Sequence, residues 1–499
     1  MDFFANMYLG FSVVLQPQNL LLCFLGCVMG TIVGVLPGLG PVAAISILLP
    51  STFQMNPVSA IIMLAGIYYG AMYGGSTTSI LVNIPGESAS VITCLDGYKM
   101  ALQGRAGAAL GIAAFGSFIA GTVSTFFIML AAPPLAHLAL VFGPPEYFSL
   151  MILGLAMLIY LAMQSMVKAL IMACFGIFLG TIGTDPIHGV ERFTYGSYTL
   201  LDGVGLVPVL MGLFGISEVL LNVEKKIKAD VYQTTIGRLL PTLQDWKKSI
   251  NAILRGTFIG FFIGILPGGT AVVSSFAAYI LEKRLSPYPE KFGTGIIEGV
   301  AAPESANNAA SQGSFIPLLT LGIPSNVVMA VLLGALLIHG LTPGPLLVKK
   351  HPDLFWGVIG SMYIGNCMLL LLNLPLIGLW VKLLKVPYSI MFPMILFFCL
   401  VGVYTVNSNY IEMMIMIFFG GVGYLLKKFH FEPAPLVLAF VLSPMLENAF
   451  GQSLIMSEGS FAIFFTRPIS LGLFLGAITL LLLPFLPWIK KLPKGGEWE

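Results

Sequence analysis

The chain has 499 residues, of which 57% are hydrophobic and only 9% are charged, and its mean hydropathy is +0.94. Its apolar runs repeatedly reach the roughly 20 residues that span a bilayer, which excludes a soluble globular domain and predicts an all-α polytopic membrane protein in a lipid bilayer. The net charge of +2 gives no indication of a nucleic-acid partner. The six cysteines and five histidines form no metal-binding pattern, and the cysteines are interpreted as packing residues.

The first predicted element runs from about Asn19 to Pro50 and carries a stripe of glycines. Glycines at spacing four let a second helix backbone approach closely, which is how membrane helices pack. Pro37 then ends the helix, because proline lacks a backbone donor and the following glycine tolerates positive φ. Non-helical backbone at membrane depth persists only where protein or a water-filled cavity satisfies it. The glycines are Gly26, Gly30, Gly34 and Gly38.

A second predicted segment begins near Pro57 and runs into the polar stretch GGSTTSILVNIPGES at residues 74–88. Asn-Ile-Pro-Gly breaks a helix, and Glu87 with Ser88 follows where the next helix would expose unpaired N–H groups. This stretch alone leaves two interpretations open. Glu87 is either part of a binding site or a surface charge in a capped loop at the water interface.

Both motifs recur in the second half of the chain. GTFIGFFIGILPGGT at residues 256–270 repeats the glycine stripe and its break about 230 residues later. In the stretch from Gly299 to Val328, residues 322–326 are in register with residues 83–87 at a shift of about 239. A polar cluster, Pro303 to Asn308, precedes this second break and is unlike a lipid-facing helix. The chain is therefore predicted to be a duplicated unit.

The distribution of basic residues predicts the topology. Seven lie between Lys225 and Arg255, and three lie between Lys490 and Lys494. The positive-inside rule places the linker and the C-terminus in the cytoplasm and the uncharged N-terminus outside. The first half would then cross the membrane an odd number of times, which gives two inverted-topology repeats with broken helices and re-entrant hairpins.

This interpretation sets the predicted domain boundaries. The predicted parts are a first membrane repeat at 1–221 with its motif-rich part at about 19–125, a cytoplasmic linker at 222–255, a second repeat at 256–489 with its motif-rich part at about 256–345, and a tail at 490–499. The motif-rich parts are predicted to hold the site, and the plainer helices after them to form a scaffold. An amphipathic helix is predicted around 235–250 within the linker.

The substrate and a coupling ion are predicted to bind at the broken segments, because interrupted segments in matching places of two halves indicate the site of a secondary transporter. The upstream glycines are interpreted as packing residues. The candidate binding residues are Pro37, Gly38, Gly40, Ser76, Thr77, Asn83, Pro85, Gly86, Glu87, Ser88, Pro267, Gly268, Gly269, Thr270, Glu304, Ser305, Asn307, Asn308, Pro324, Ser325 and Asn326.

The charge at these segments constrains the chemistry. No Lys or Arg lies between Pro37 and Tyr98 or between Gly256 and Leu281. Helix N-termini attract carboxylates through their N–H groups, but they do not neutralise a multiply charged anion. We therefore expect a bound cation, with sodium favoured by hydroxyl and carbonyl ligands whose identity the sequence leaves open. Glu87 and Glu304 are the alternative, as proton carriers.

Enzymatic function is not expected, because the chain has no GxSxG elbow, Walker loop or dinucleotide fingerprint. Cofactors other than a coupling ion are not expected either. The matched breaks favour alternating access over a channel, which stays the alternative.

Four stretches carry a resemblance to a known family. GTIVGVLPGLGP (30–41), YYGAMYGGSTTSILVNIPGE (68–87), DGYKMALQGRAGAALG (96–111) and APESANNAASQGSFIPLLTLGIPSN (302–326) resemble the large membrane subunit of the tripartite tricarboxylate transporters. The likeness covers nearly the whole chain, with the motifs in the expected order.

The resemblance implies a multi-pass permease of the bacterial inner membrane that works with a small membrane subunit and a periplasmic solute-binding protein. It implies carboxylate substrates of the citrate class, with dicarboxylates or aromatic carboxylates as alternatives, taken up with an ion, usually sodium. Similarity to other binding-protein-dependent secondary carriers further implies an elevator motion.

Overall fold

The computed structural model describes residues 3–36, 38–162, 165–185, 187–225, 238–384 and 388–483, and most of these residues are helical. The helices of the first half are α1 (Phe3–Val14), α2 (Pro17–Val35), α3 (Gly40–Leu48), α4 (Pro57–Val82), α5 (Val91–Leu102), α6 (Ala106–Ala139), α7 (Pro144–Tyr160), α8 (Met166–Gly180), α9 (Leu206–Leu210) and α10 (Ser217–Lys225). A π-helical turn, Met211–Ile216, joins α9 to α10.

The helices of the second half are α11 (Leu243–Ile265), α12 (Ala271–Leu285), α13 (Glu298–Gly313), α14 (Phe315–Leu321), α15 (Val327–Ile338), α16 (Leu347–Lys350), α17 (Pro352–Asn373), α18 (Ile377–Leu383), α19 (Tyr388–Asn407), α20 (Tyr410–Lys428), α21 (Pro433–Met456), α22 (Ile463–Thr466) and α23 (Pro468–Leu482). Two short strands, β1 (Gly183–Thr184) and β2 (Glu191–Arg192), pair antiparallel with Gly183 opposite Arg192. Short 3-10 turns occupy Leu49–Thr52, Ser88–Ser90, Tyr198–Leu200 and Pro289–Lys291.

Eight helical segments in the described ranges are long and apolar enough to cross a membrane. They are α2, α4, α6, the continuous Leu206–Glu224, α11, α17, α20 and α21. The prediction of an all-α polytopic membrane protein is confirmed.

Contacts divide the chain into two compact units. The first comprises Met1–Ala139 and Gly205–Leu425, and the second comprises Leu140–Val204 and Leu426–Glu499. Both glycine motifs and both polar motifs belong to the first unit. In the second unit, Arg192 pairs with Glu447 at 2.7 Å and Arg467 with Glu146 at 2.7 Å. The predicted repeat boundaries stay a prediction.

The glycine stripes are packing surfaces. α2 lies along α4, and a Cβ added at Gly30 would collide with the carbonyl oxygen of Ile67. α11 lies along α13 in the same way, and a Cβ at Gly260 would collide with the carbonyl oxygen of Ala306. Because both obstacles are backbone atoms, neither helix pair could close around a side chain at these positions.

Both predicted breaks after the stripes are present. α2 ends at Val35 and Leu36 is extended, with ψ 110°; α11 ends at Ile265 and Leu266 is extended, with ψ 135°. Pro37 lies outside the described residues. The glycines that follow have positive φ in both copies, +88° at Gly38 and +80° at Gly268. In each copy the backbone therefore adopts a conformation at this glycine that would be strained for a residue with a side chain.

The second pair of breaks also matches. α4 ends on Asn83 with φ 58°, and α14 ends on Gly322 with φ 73°. Four residues later, Glu87 accepts a hydrogen bond from the Ala89 N–H, and Asn326 accepts one from the Met329 N–H. Each residue thereby caps the helical turn after its break.

The amphipathic helix predicted around residues 235–250 is the beginning of α11, which starts at Leu243 and continues to Ile265. Pro241 and the N-cap Thr242 explain the later start: the Thr242 hydroxyl accepts from the Asp245 N–H at 3.2 Å, and the Asp245 carboxylate accepts from the Thr242 N–H at 3.0 Å. Residues 226–237 of the predicted linker and the whole tail lie outside the described residues.

Candidate functional site

Helix α13 is polar on one side and yet buried from its second residue to its end. Every residue from Gly299 to Gly313 is buried. Three alanines, Ala302, Ala306 and Ala310, face the glycines of α11. Helical spacing puts Glu304, Asn307, Asn308 and Ser311 on the opposite side. A helix with carboxylate and amide side chains in a protein interior is costly unless those groups have partners.

Glu304 is the centre of this polar stripe, and none of it is exposed to solvent. One of its carboxylate oxygens accepts a hydrogen bond from the Ser76 hydroxyl of α4, and the other accepts one from the Thr93 hydroxyl of α5. The second half of the chain thus places a carboxylate against two helices of the first half.

Glu87 is the second buried carboxylate of this cluster, with 5% of the residue exposed. Its Oε2 accepts from the Ala89 N–H at 2.7 Å, and its Oε1 accepts from Asn307 Nδ2 of α13 at 3.2 Å. The interpretation of Glu87 as a surface charge is therefore wrong. This contact joins the first polar break to helix α13 of the second half.

A small polar cavity lies beside Ser76. Its volume is about 10 Å³, which is room for one water-sized particle. Asn308 lies next to it, because Asn308 Nδ2 donates to the Ser117 hydroxyl at 2.7 Å. The cavity is lined by Tyr73, Ser76, Thr77, Leu110, Ala113, Ala114, Ser117 and Asn373.

Several buried polar atoms around the cluster have no hydrogen-bond partner. Buried polar groups are nearly always paired in native proteins, so a concentration of unpaired ones indicates a place where something binds. The oxygens among them are Ser305 Oγ, Asn307 Oδ1, Asn308 Oδ1, Gln312 Oε1, Ser325 Oγ and Asn373 Oδ1.

The cluster holds negative charge without a compensating basic side chain. No Lys or Arg occurs in residues 1–98 or 292–348. None of the ion pairs within the described ranges involves Glu87 or Glu304. Two buried carboxylates in such surroundings require a proton or a bound cation to be stable.

The second-half breaks contact each other as well. The Gly268 N–H donates to the Ser325 carbonyl at 2.7 Å. Asn326 donates from Nδ2 to the Tyr68 hydroxyl at 3.4 Å, while its Oδ1 caps α15. Gly268, Ser325 and Asn326 thus lie at a meeting point of three segments, and their role in binding stays a prediction.

Other candidates lie apart from this cluster. Gly38 lies against Asn222, and nothing lies within 4 Å of a Cβ at Gly40. Asn83 and Ser88 are exposed. The remaining candidates have roles in backbone geometry. Gly86 lies against the Gly34 carbonyl, Gly269 lies against the Ile263 carbonyl, and Thr270 caps α12. Pro85, Pro267 and Pro324 lie in the breaks.

The sequence interpretation missed Thr93, Ser117 and Asn373, which share the site with Glu304. It also missed Asp96, which is fully buried on α5. Asp96 accepts from the Tyr279 hydroxyl at 2.8 Å and from the Gly293, Gly295 and Ile296 N–H groups at 2.8–3.0 Å. It therefore anchors the loop that leads into α13. The single acid of α5 was the available signal.

The chain is similar to a known family of membrane transporters. The family model described as "Tripartite tricarboxylate transporter TctA family" matches residues 20–438. An uncharacterized 52.8 kDa protein in the TAR-I ttuC' 3' region of Agrobacterium vitis is 50% identical over 491 residues, 98% of each chain. An uncharacterized protein in the TAR-II ttuC' 3' region of the same organism is 53% identical over 228 residues, 45% of this chain and 94% of that protein. No solved structure matches the chain.

Proposed function

The chain belongs to the tripartite tricarboxylate transporter TctA family, and from that premise we propose that it is the large membrane subunit of a binding-protein-dependent importer of citrate-class carboxylates. Its partners are a small membrane subunit and a periplasmic solute-binding protein, and it lies in the bacterial inner membrane with its central linker and C-terminus in the cytoplasm. Uptake is driven by symport of a cation, sodium, and no enzymatic step is involved.

The observation that carries this proposal is the buried cluster of Glu87, Glu304 and the amides of α13. It lies where the two broken segments meet, which is where secondary transporters bind substrate and coupling ion. Its oxygens lack basic partners, so the site attracts a cation. A cation in turn supplies the positive charge that a carboxylate substrate requires, because Lys and Arg are absent from these segments.

Alternating access by an elevator motion is the mechanism that we propose. The matched breaks, stripes and caps of the two halves support a duplicated unit. With the odd number of crossings predicted for the first half, the copies are inverted in the membrane, and one rigid group of helices carries the site past the rest.

Uptake of labelled citrate into proteoliposomes tests the proposal. The vesicles hold this chain and its small subunit, the solute-binding protein is added outside, and an inward sodium gradient is compared with equal sodium on both sides. We expect accumulation that requires both the binding protein and the gradient.

The alternative outcomes separate the parts of the proposal. Accumulation that follows an inward proton gradient instead would overturn sodium coupling and identify Glu87 and Glu304 as proton carriers. If citrate stays outside while dicarboxylates or aromatic carboxylates enter, the citrate assignment is wrong. Uptake that runs equally in both directions without any gradient dependence would indicate a channel.

A further inference from the structure

The cavity beside Ser76 has a lining suited to a small cation. Four residues that carry hydroxyl groups line it, Tyr73, Ser76, Thr77 and Ser117, together with Asn373. All of these side chains offer oxygen atoms, and oxygen is the ligand that hard cations prefer. The cavity of about 10 Å³ admits one small particle and excludes a carboxylate substrate.

The two asparagines at the cavity have their nitrogen atoms engaged elsewhere. Asn373 Nδ2 donates to the Leu369 carbonyl at 2.9 Å, and Asn308 Nδ2 donates to Ser117 and to the Glu304 carbonyl. The Oδ1 atoms of both side chains are buried and unpartnered. Each amide therefore has an oxygen available to a ligand.

Glu304 supplies the charge for such a ligand. Its carboxylate accepts a hydrogen bond from the hydroxyl of Ser76, and Ser76 is one of the residues that line the cavity. A proton on Glu304 would neutralise the carboxylate but would not itself partner the two amide oxygens. A monovalent metal ion satisfies the charge and the oxygens together.

We propose that this cavity is a binding site for a single sodium-sized monovalent cation. Its ligands come from Ser76, Thr77, Ser117, Asn308 and Asn373, and Glu304 provides the negative charge. The assignment of this ion as the coupling ion rests on the proposed function, whereas its binding does not. The site joins α4 and α6 to α13 and α17, so occupancy stabilises the arrangement of helices from both halves.

Sodium itself is the probe that tests the site. The purified full-length chain in detergent is titrated with sodium chloride at constant ionic strength, with choline chloride as the replacement salt and no carboxylate present. The apparent melting temperature is followed by intrinsic fluorescence. A ligand that binds only the folded state raises this temperature, and we expect a saturable rise in the wild-type protein.

Two variants remove ligands, and a third is the matched control. Ser117→Ala and Asn373→Ala each remove an oxygen from the cavity, and we expect the sodium concentration for the half-maximal rise to increase by about tenfold or more. Ser124→Ala removes a buried, unpartnered hydroxyl from the same helix α6, away from the cavity, and should leave that concentration unchanged.

The possible results distinguish this site from the proposed function. An equal sodium response in all three variants, or no response in the wild-type protein, would overturn the cation site, while binding-protein-dependent citrate uptake would leave the transport proposal standing. A sodium response with the expected variant pattern, combined with failure to transport any carboxylate, would overturn the transport proposal and leave the site standing.

Discussion

Helices α4 and α13 have the same structural frame but different chemistry. Each packs along a glycine-bearing helix, and each leads to a break at a left-handed residue followed by a capped turn. The polar side chains of α4 are hydroxyls, and its residues 57–82 include no charged side chain. Helix α13 carries Glu304 and two adjacent asparagines in equally buried surroundings.

This difference separates the features that the two halves share from those that distinguish them. The shared frame depends on glycine and proline positions that fix backbone geometry. The charged groups occupy unequal places: at the cap after the break, the first half has Glu87 where the second has Asn326. One half therefore contributes hydroxyl groups and a capping carboxylate, and the other contributes the carboxylate and amides of a helix.

The shared frame predicts the largest effect, for a leucine in either glycine stripe. Gly30→Leu and Gly260→Leu should both prevent folding, because the new side chain meets backbone atoms of α4 or α13, and overpacking of this kind costs about 3 kcal/mol or more. The measurement is the yield of monodisperse protein after detergent extraction. Gly421→Leu on α20, where nothing lies within 4 Å of the added Cβ, is the control. If only one stripe were sensitive, the frames would not be equivalent.

The next effect concerns how the two helices begin. α4 starts at an Asn56 cap from its own chain segment, whereas the loop into α13 is held by Asp96 of α5. Asp96→Asn replaces the carboxylate that accepts from three N–H groups with an amide, and it should lower the free energy of unfolding by about 3 kcal/mol. The loss should be visible as a lower apparent melting temperature. Asp353→Asn, at an exposed acid in the first turn of α17, should have little effect. A melting temperature unchanged in Asp96→Asn would contradict the anchoring role.

The charge difference between the halves predicts a functional effect. Glu304→Gln keeps the size of the side chain and a hydrogen-bonding carbonyl oxygen, but removes the charge facing Ser76. Sodium-driven uptake should fall by about 10- to 100-fold with little change in melting temperature. Glu87→Gln is the comparison at the other carboxylate. If uptake falls only in Glu87→Gln, the functional charge belongs to the first half, contrary to the site described above.

The smallest effect is expected at the left-handed residues. Asn83→Gly should change the free energy of unfolding by only a few tenths of a kcal/mol, because both residues accept φ near 58°. Gly322→Asn should lower the free energy of unfolding by clearly more, since its Cβ would lie 2.7 Å from the Pro343 carbonyl oxygen. Thermal unfolding of the two variants side by side checks this; equal melting temperatures would show that the second break has more room than the structure describes.

Much of the fold and part of the site were predictable from the sequence. The break at Leu-Pro-Gly, the register between residues 83–87 and 322–326, and the burial of Glu304 follow from local residue types. The amphipathic start of α11 was also recognisable, although its first residue was misplaced because the Thr242 cap was not recognised. Asn83 and Ser88 were expected in the site and are exposed. Sequence alone does not separate these cases, because a polar residue beside a break can stabilise the backbone of the break as readily as it can bind a ligand.

What the sequence by itself determined about this protein is therefore its helical membrane class, its duplicated breaks and its supply of buried carboxylates. These depend on hydropathy, on the missing donor of proline and on the backbone freedom of glycine, which are properties of single residues and short spacings. The tertiary structure alone decided that Ser76, Thr93 and Ser117 contact α13 and that Asn373 lines the cavity beside Ser76 and Ser117. Thr93 and Ser76 precede Glu304 by 211 and 228 positions in the sequence, yet both donate hydrogen bonds to its carboxylate. The rotation and packing of whole helices, rather than a local sequence pattern, bring these side chains together.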